Sequence, residues 1–505
     1  MARADVPGLA RALVLTGRSR IDWAAEDAPL LTSLSVLVPV YNEEYLVAES
    51  LGRLEVLGDS PHLSRVEVIV VDDRSTDGTA AVLEAFAASR GGSRLAWRFL
   101  RHERNGGKGA AIRTALAEAT CELTVIHDAD LEYHPRDLLR LVRVFAAGEA
   151  DAVFGSRFAG AEARRALAYR HVLGNKFLTF LCNLATNLSL TDMETCYKAV
   201  RTDLLKSIPI QSNDFRLEPE LTIKLAKRRA RIHEVPIGYS GRSYQEGKKI
   251  GWRDGLKALT AIVRFRLSDE VYVKDAYGSR ILARLSRAPK FNAWIADRIR
   301  PFCGNCVLEI GAGVGNLTLQ LVPRRTFVAT DVNPLHLTTL ASLRTDRPYL
   351  SVARCDVSDR ASFPARDGGY ETVVCVNVIA YIADDVAALT NIRSVLAADG
   401  RAIVLVPQGP GNVGTLDEVL GHSRRYTRET LTAAARAAGL EVEAMLPFNR
   451  CGTLAWYING RLLKRRGFGL FQIKLLNLLT PMLRVLDAVV PLPPLSLIAI
   501  LKRAG

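Results

Sequence analysis

Short apolar runs rich in valine and isoleucine recur along the chain, each followed by a polar turn and then by apolar residues at helical spacing. Leu34 to Pro39, Val66 to Val71 and Leu123 to Ile126 are the first three. Runs of this length bounded by turn residues predict buried strands, and a strand–turn–helix alternation predicts βαβ units around a parallel sheet. The alternation restarts at Cys306 to Ile310, Thr326 to Thr330, Thr372 to Val376 and Ala402 to Val406, after a charged helical stretch from Asp269 to Arg300. The expectation is an α/β protein of two parallel-sheet domains. Residues 1–31 form an irregular or helical lead-in, 32–268 the first domain, 269–290 a linker helix, and 291–505 the second domain with a basic amphipathic C-terminal region.

Composition narrows the class without changing it. A chain of 505 residues has room for about three domains, or two large ones, each with a full core. At 49% hydrophobic and 24% charged residues it is neither disordered nor fibrous. The longest apolar stretch, Val485 to Leu501, is broken by Asp487, Pro491, Pro493 and Pro494, so no membrane span is expected. Arg3, Arg11, Arg18 and Arg20 interrupt the N-terminus, which leaves no signal-peptide core and predicts a cytoplasmic protein, with peripheral membrane contact open. Eight scattered cysteines suit a reducing compartment, and the single CxxC pair, Cys303 and Cys306, runs straight into a strand. The net charge of +14 is uneven: Gly421 to Gly505 holds 13 basic residues against 4 acidic. That region reads either as a surface for anionic membrane or phosphorylated substrate, or as a cationic helical cap packed on its own domain. No zinc-finger, basic-zipper or RNA-binding aromatic signature points to nucleic acid.

Open α/β sheets collect ligands beyond the carboxyl ends of their strands, and the first domain places its acids there. Pro39-Val40-Tyr41-Asn42-Glu43 closes one strand, Asp72-Asp73 the next, and His127-Asp128-Ala129-Asp130 a third. Asp128 and Asp130 project to the same side of an extended segment, where together they can hold a hard divalent ion such as Mg²⁺ or Mn²⁺ on phosphate oxygens. Asn105-Gly106-Gly107-Lys108-Gly109 precedes a helix; its glycines permit close backbone approach, and Lys108 can meet a phosphate or a carboxylate.

In these motifs the first domain resembles family 2 glycosyltransferases of the GT-A fold, and among them the polyprenyl-phosphate sugar transferases of the dolichol-phosphate mannose synthase type. The resemblance implies that Pro39, Tyr41, Glu43, Asp72, Asp73 and Lys108 line the nucleotide-sugar pocket, and that Asp128 and Asp130 are the metal-binding pair. It also implies that Gly155-Ser156-Arg157, Thr191 to Lys198, Phe215 to Glu220 and Gly241 to Lys249 form the acceptor half. The implied chemistry is inverting displacement at the anomeric carbon. A lipid phosphate acceptor needs cations, for which Arg157, Arg170, Arg242, Lys248 and Lys249 are candidates. A hydroxyl acceptor needs a base, for which Glu218 or Glu220 is the candidate.

In the second domain Glu309-Ile310-Gly311-Ala312-Gly313-Val314-Gly315-Asn316 sets alternating glycines at a strand-to-helix turn, and Asp331 ends the next strand. The spacing is GxGxG rather than a dinucleotide GxGxxG. Residues 285–445 resemble a class I S-adenosylmethionine-dependent methyltransferase of Rossmann-like fold. That resemblance assigns the donor to Glu309, Gly311, Gly313, Gly315, Asp331, Asp356 and Asn377. His422, in a segment similar to acceptor regions of methyltransferases for cell-envelope sugars, is a candidate base with Tyr426 orienting it. The leading expectation is a bifunctional enzyme that moves a sugar from a nucleotide-sugar to polyprenyl phosphate and methylates a glycan or related acceptor. The alternatives are a soluble natural product as acceptor, or one active domain beside a degenerate regulatory one.

Overall fold

β1 (Thr32–Val40) lies between β2 (Leu63–Asp72) and β4 (Leu123–Ile126), parallel to both. Strands covered by helices on both faces must be apolar on both, and Val36, Leu37 and Val38 of β1 and Val68, Ile69 and Val70 of β2 are all fully buried. The computed structural model describes residues 32–504 apart from 147–149, 161–168, 242–251, 269, 274–281, 283, 345–346, 410–414, 416, 418–423 and 465–468. The remaining strands of the first sheet are β3 (Ala96–Arg101), β5 (Ala152–Ser156), β6 (Lys198–Arg201) and β7 (Ile232–Pro236), in the order β3-β2-β1-β4-β6-β5-β7. The chain winds outward from β1 to β3 and then restarts at β4 on β1's other side. This reversal opens a crevice at the carboxyl ends of β1 and β4.

The sheet is mixed, not parallel as expected. β6 runs antiparallel to β4 and β5. The helix Tyr169–Thr186 and the loop after it bring the chain back from the opposite direction, and a four-residue strand containing a lysine carries no periodic signal. The reversal has a chemical consequence, because it sets the start of β6, and so Lys198, beside the carboxyl end of β4.

The second sheet has the order β10-β9-β8-β11-β12-β14-β13. β8 (Cys306–Ile310), β9 (Thr326–Asp331), β10 (Leu350–Arg354), β11 (Tyr370–Val376) and β12 (Leu396–Pro407) are parallel. β14 (Ser496–Arg503) inserts antiparallel between β12 and β13 (Leu440–Phe448), a second departure from the parallel expectation. The eight cysteines are free thiols.

The halves meet at Arg228, which follows the helix Leu217–Lys227 and is buried. Its guanidinium stacks 3.8 Å from the Tyr272 ring centroid and donates to Ser207 Oγ (2.7 Å) and, across the junction, to Thr339 Oγ1 (3.3 Å) on the helix Pro334–Ser342. Val271 and Tyr272 pack on Val314 of the second glycine turn, together with Leu282.

Candidate functional site

Three segments converge at the crevice of the first sheet. Beyond β1, Tyr41 is exposed and Asn42 takes a left-handed φ of 53°. Beyond β4, Leu131 takes a left-handed φ of 62°, a conformation that a branched apolar side chain adopts only where its surroundings enforce it. Asp130 Oδ1 accepts the Glu132 N–H at 3.1 Å, which pins that turn. Asp128 Oδ2 receives the Lys108 ammonium at 2.8 Å, and Lys108 also lies 3.5 Å from Glu218 Oε1. Glu218 Oε2 in turn accepts from Lys198 Nζ at 2.5 Å. Four charges of alternating sign thus join β4, the glycine-loop helix Lys108–Glu118, the helix Leu217–Lys227 and β6.

Burial opposes both charges of the first pair, but the pair prevails. Asp128, with Cys196 and Glu218, holds Lys108 well above the usual lysine range, and Lys108 holds Asp128 below the usual carboxylate range. His127 goes the other way: burial draws it down to about 4, so the ring is neutral between Ser50 Oγ (3.2 Å) and the Tyr197 hydroxyl (3.0 Å).

Asp73 is buried and accepts the N–H groups of Gly106 (2.8 Å) and Gly107 (2.6 Å) and sits 2.6 Å from His102 Nδ1. It shapes the glycine loop. The close approach that the glycines permit is that of the protein's own backbone. A Cβ on Gly107, at φ 86°, would stand 2.3 Å from the Asn213 carbonyl oxygen, and one on Gly109 would overlap that of Ser212. Asp72 accepts the Ser75 N–H at 2.9 Å and pairs with Arg101 at 3.0 Å. Pro39 is half-buried within β1, and the Glu43 backbone N–H donates to Thr79 Oγ1 at 2.9 Å.

Two further expectations need correction. Glu220 is fully buried, accepts the N–H groups of Gln211 (2.8 Å) and Ser212 (2.7 Å), and pairs with Lys224 at 2.5 Å. Two residues along a helix is about 200° of rotation, so Glu218 and Glu220 cannot both face the crevice; only Glu218 does. Arg157, expected as an open phosphate clamp, is buried in a bidentate pair with Asp192 (Nε–Oδ2 2.7 Å, Nη2–Oδ1 2.8 Å), and its guanidinium lies 5.0 Å from the Tyr239 ring centroid. Its charge is compensated within the protein, where it fixes the end of β5 to the 191–198 segment. Arg242, Lys248, Lys249 and His422 lie outside the described residues, and Arg170 lies on the helix Tyr169–Thr186 with its side chain outside them.

Sequence reasoning passed over Glu194 and Lys198. Burial first, and then the nearby Glu218, push Glu194 up to about 7, and its Oε1 is buried with no hydrogen-bond partner among the described residues. Both lie in the Thr191 to Lys198 segment of the expected acceptor half. Two ionisable residues flanking a cysteine in so short a span were the available signal.

In the second sheet the chain reverses between β8 and β11, and the glycine turn follows β8. Gly311, Gly313 and Gly315 all take positive φ (70°, 58° and 80°), and a Cβ on Gly311 would fall 2.2 Å from Val378 Cγ2. Asp331, buried at the end of β9, accepts the N–H groups of Gly313 (2.8 Å) and Asn333 (2.9 Å) and lies 3.1 Å from His336 Nδ1. A carboxylate has about four acceptor positions, so one remains for a ribose hydroxyl of the expected methyl donor, while the Cβ directions of the three glycines meet the protein's own Val378, Leu282 and Leu343. Glu309 is buried and accepts the Thr318 hydroxyl at 2.5 Å; burial pushes it up to about 7. It fastens the turn to the next helix. Asp356 is half-buried and its Oδ1 accepts the Ser358 N–H at 2.9 Å, and Asn377 is exposed at a left-handed φ of 56° just past β11. Tyr426, buried, donates to Asp385 Oδ2 at 2.8 Å.

Residues 35–208 match the glycosyl transferase family 2 model, and residues 308–402 match a methyltransferase domain. Over 242 residues the chain is 29% identical to an undecaprenyl-phosphate mannosyltransferase of Micrococcus luteus, covering 46% of this chain and 93% of that protein. It is 27% identical over 216 residues to a dodecaprenyl-phosphate galacturonate synthase of Rhizobium johnstonii, covering 43% of this chain and 61% of that one. Among solved structures, the glucosyl-3-phosphoglycerate synthase of Mycobacterium tuberculosis aligns with a TM-score of 0.36 at 20% identity, over 46% of this chain and 78% of that one. A family 2 glycosyltransferase domain and a methyltransferase domain share this chain, and the protein is a transferase.

Proposed function

We propose that residues 32–268 transfer a sugar, with inversion, from a nucleotide-sugar to a polyprenyl phosphate, and that residues 291–505 methylate a glycan or related acceptor with S-adenosylmethionine. The observation that carries the first half is the array Asp128–Lys108–Glu218–Lys198 at the strand reversal. A lipid acceptor is supported by the relatives' polyprenyl-phosphate substrates and by an exposed apolar stripe, Tyr169, Leu173, Phe177, Phe180 and Leu184, on one helix. Leu256, Val263 and Leu267 of the adjoining helix Trp252–Leu267 are exposed as well. Among the described residues no helix is long and apolar enough to cross a membrane. Both donors are cytoplasmic metabolites, so the place of work is the cytoplasmic face of a membrane, reached peripherally.

In this reading an acceptor phosphate oxygen forms the new bond to the anomeric carbon as the carbon's bond to the nucleoside diphosphate breaks, inverting the centre. The attacking phosphate is already ionised and needs no base. Lys108 compensates Asp128 and lies within reach of negative charge entering the crevice. Asp128 and Asp130 would hold Mg²⁺ or Mn²⁺: two carboxylates plus substrate phosphates are a usual donor set for such an ion, which supplies neutralisation of the leaving diphosphate. In the second domain Asp331 would accept a ribose hydroxyl and the turn from Gly311 to Gly315 would lie against the donor. Bound S-adenosylmethionine supplies an electrophilic methyl group.

A second reading rests on Glu194. A carboxyl group held near 7 with a bare oxygen is suited to take a proton from a sugar hydroxyl, which would make the acceptor a soluble glycan. Purified protein is to be incubated in detergent micelles with polyprenyl phosphate and a panel of nucleotide-sugars, and products read by mass spectrometry. A lipid-linked sugar that Asp128→Asn abolishes is expected. Transfer to soluble glycans alone, lost in Glu194→Gln, would replace the first reading with the second.

A further inference from the structure

The chain between β13 and β14 forms a helical hairpin from Arg450–Tyr457, continued through Ile458–Leu462, to Leu470–Leu486. The second helix is apolar on two opposite sides, and the described residues cover only one. Ile473 and Thr480 are buried and Leu483 packs on the core beside the helix Pro289–Ile299. On the far side Phe471, Leu475, Leu478, Met482, Val485 and Val489 follow one another at steps of four and three residues. At about 100° per residue they fall within a stripe roughly 80° wide. Phe471 is 77% exposed, Val485 72% and Val489 73%. On the first helix Leu454, Tyr457, Ile458 and Leu462 are exposed too, followed by Leu463. Soluble surfaces do not ordinarily leave so many large apolar side chains together in water.

The hairpin is not loosely attached. Asp487 accepts the backbone N–H groups of Asn449 (3.2 Å), Arg450 (2.5 Å) and Cys451 (3.3 Å), Arg484 pairs with Asp297 at 2.9 Å, and Gln472 Nε2 donates to Asn459 Oδ1 at 3.1 Å. Its outward face is therefore held in position and does not wait for a core. Its charge says what it meets. Residues 450–489 contain seven basic side chains and one acidic, Asp487, which is spent on the helix start. Lys464 and Lys474 are exposed, and Arg461 lies 5.9 Å from the Tyr457 ring centroid. Exposed leucine, phenylalanine and tyrosine among lysine and arginine match a bilayer surface with anionic headgroups. The same face brought against a second copy of itself would set like charges together.

The hairpin also leaves the sheet at a telling place. Pro407, ending β12, and Phe448, ending β13, both stand opposite Ser496 of β14. It therefore rises from the same sheet edge as the glycine turn. Trp456 of the hairpin donates from Nε1 to Asp417 Oδ2 at 3.2 Å, and Asp417 is paired with the buried Arg425, whose guanidinium lies 5.2 Å from the Trp456 ring centroid. This ties the hairpin to Asp417 and Arg425, which flank His422 in the sequence expected to receive the methyl acceptor.

We propose that the helices Arg450–Leu462 and Leu470–Leu486 dock the methyltransferase half on an anionic bilayer. The inference stands on the hairpin and goes beyond the reading of the glycosyl acceptor, from which it is separable. The full chain is to be sedimented with phosphatidylcholine vesicles with and without phosphatidylglycerol. Binding should require phosphatidylglycerol, weaken with salt, and fall about tenfold or more in Phe471→Glu/Leu478→Glu, with circular dichroism and thermal midpoint unchanged because both side chains are exposed. Lys464→Gln/Lys474→Gln should lose the preference for anionic vesicles. Unchanged sedimentation of the glutamate variant overturns the proposal, as does a wild-type dimer in light scattering that the same substitutions dissociate. Sugar transfer in detergent micelles should be unaltered in Phe471→Glu/Leu478→Glu. If the wild type transfers nothing to polyprenyl phosphate yet sediments through the hairpin, the acceptor assignment falls and the docking surface stands.

Discussion

Replacing Lys108 by methionine keeps an unbranched side chain one atom shorter and removes its charge. The ammonium stands 2.8 Å from Asp128 and 3.5 Å from Glu218, so the two carboxylates it separates are no more than about 6 Å apart. At an effective dielectric constant of about 20 their bare repulsion is about 3 kcal/mol, and loss of one partner from a largely buried pair costs about 3–5 kcal/mol. Lys108→Met should therefore lower the stability of the glycosyltransferase half by about 3–5 kcal/mol near neutral pH, or roughly 10 °C in its melting transition. The pH dependence carries the sharper signature. In the wild type Asp128 is held below the ordinary carboxylate range, burial opposing and Lys108 prevailing, so its contribution is present above the unfolded value and lost as pH falls through the folded one. Without Lys108 the largest opposition to burial is gone and only the smaller contributions of Cys196 and His127 remain, so Asp128 takes up a proton at higher pH than in the wild type and the repulsion is relieved. Urea unfolding followed by far-ultraviolet circular dichroism at about pH 7.5 and about pH 5 should show the gap between wild type and variant shrinking at the lower pH. A gap under about 1 kcal/mol at pH 7.5, or one that does not change with pH, refutes the assignment of Lys108 as the charge that holds this site together.

Gly311→Ala forces a Cβ into a left-handed position, at about 1–2 kcal/mol, and drives it to 2.2 Å from Val378. Calorimetry should show S-adenosylmethionine affinity at least about tenfold weaker with sugar transfer unaltered, and Val378→Ala should restore part of it. Glu220→Gln should cost about 2 kcal/mol or more in urea unfolding while kcat of the folded enzyme stays near wild type, whereas Glu218→Gln should depress kcat. Asp192→Ala, which strands the Arg157 guanidinium in the interior, should cost about 3–5 kcal/mol, much of it regained when Arg157→Met is added. Glu309, raised from 4.5 to about 7 by burial, adds stability that is fully present below pH 4.5 and lost as pH rises through 7; Glu309→Gln should flatten a decline of up to about 3 kcal/mol measured between about pH 5 and pH 8.

The hydrophobic pattern determined the central strands. β4 and β8 have the bounds read from the sequence, and β1 and β2 extend one to three residues past them, because a strand buried on both faces must be written as an unbroken apolar run. The placement of acids and glycines after those runs determined where both sites lie, since every parallel strand delivers its carboxyl end to the same edge of the sheet. Other features had no local signature. β6 is four residues long and antiparallel, and only the return of the chain past the Tyr169–Thr186 helix brings Lys198 to Glu218. The composition of the C-terminal region fitted a core-facing helix and a membrane-facing one equally well, and the fold shows Leu470–Leu486 with one apolar side covered and the other bare. Residue type said that Arg157, Glu218 and Glu220 carry charge. Whether that charge faces a ligand or is spent inside the protein depends on the partner across the fold, Asp192 for the first, Lys108 and Lys198 for the second, Lys224 for the third. Sequence fixes a side chain's chemistry, whereas burial and neighbours decide its electrostatic role, because charge compensation in a low-dielectric interior is a property of the pair and not of the residue.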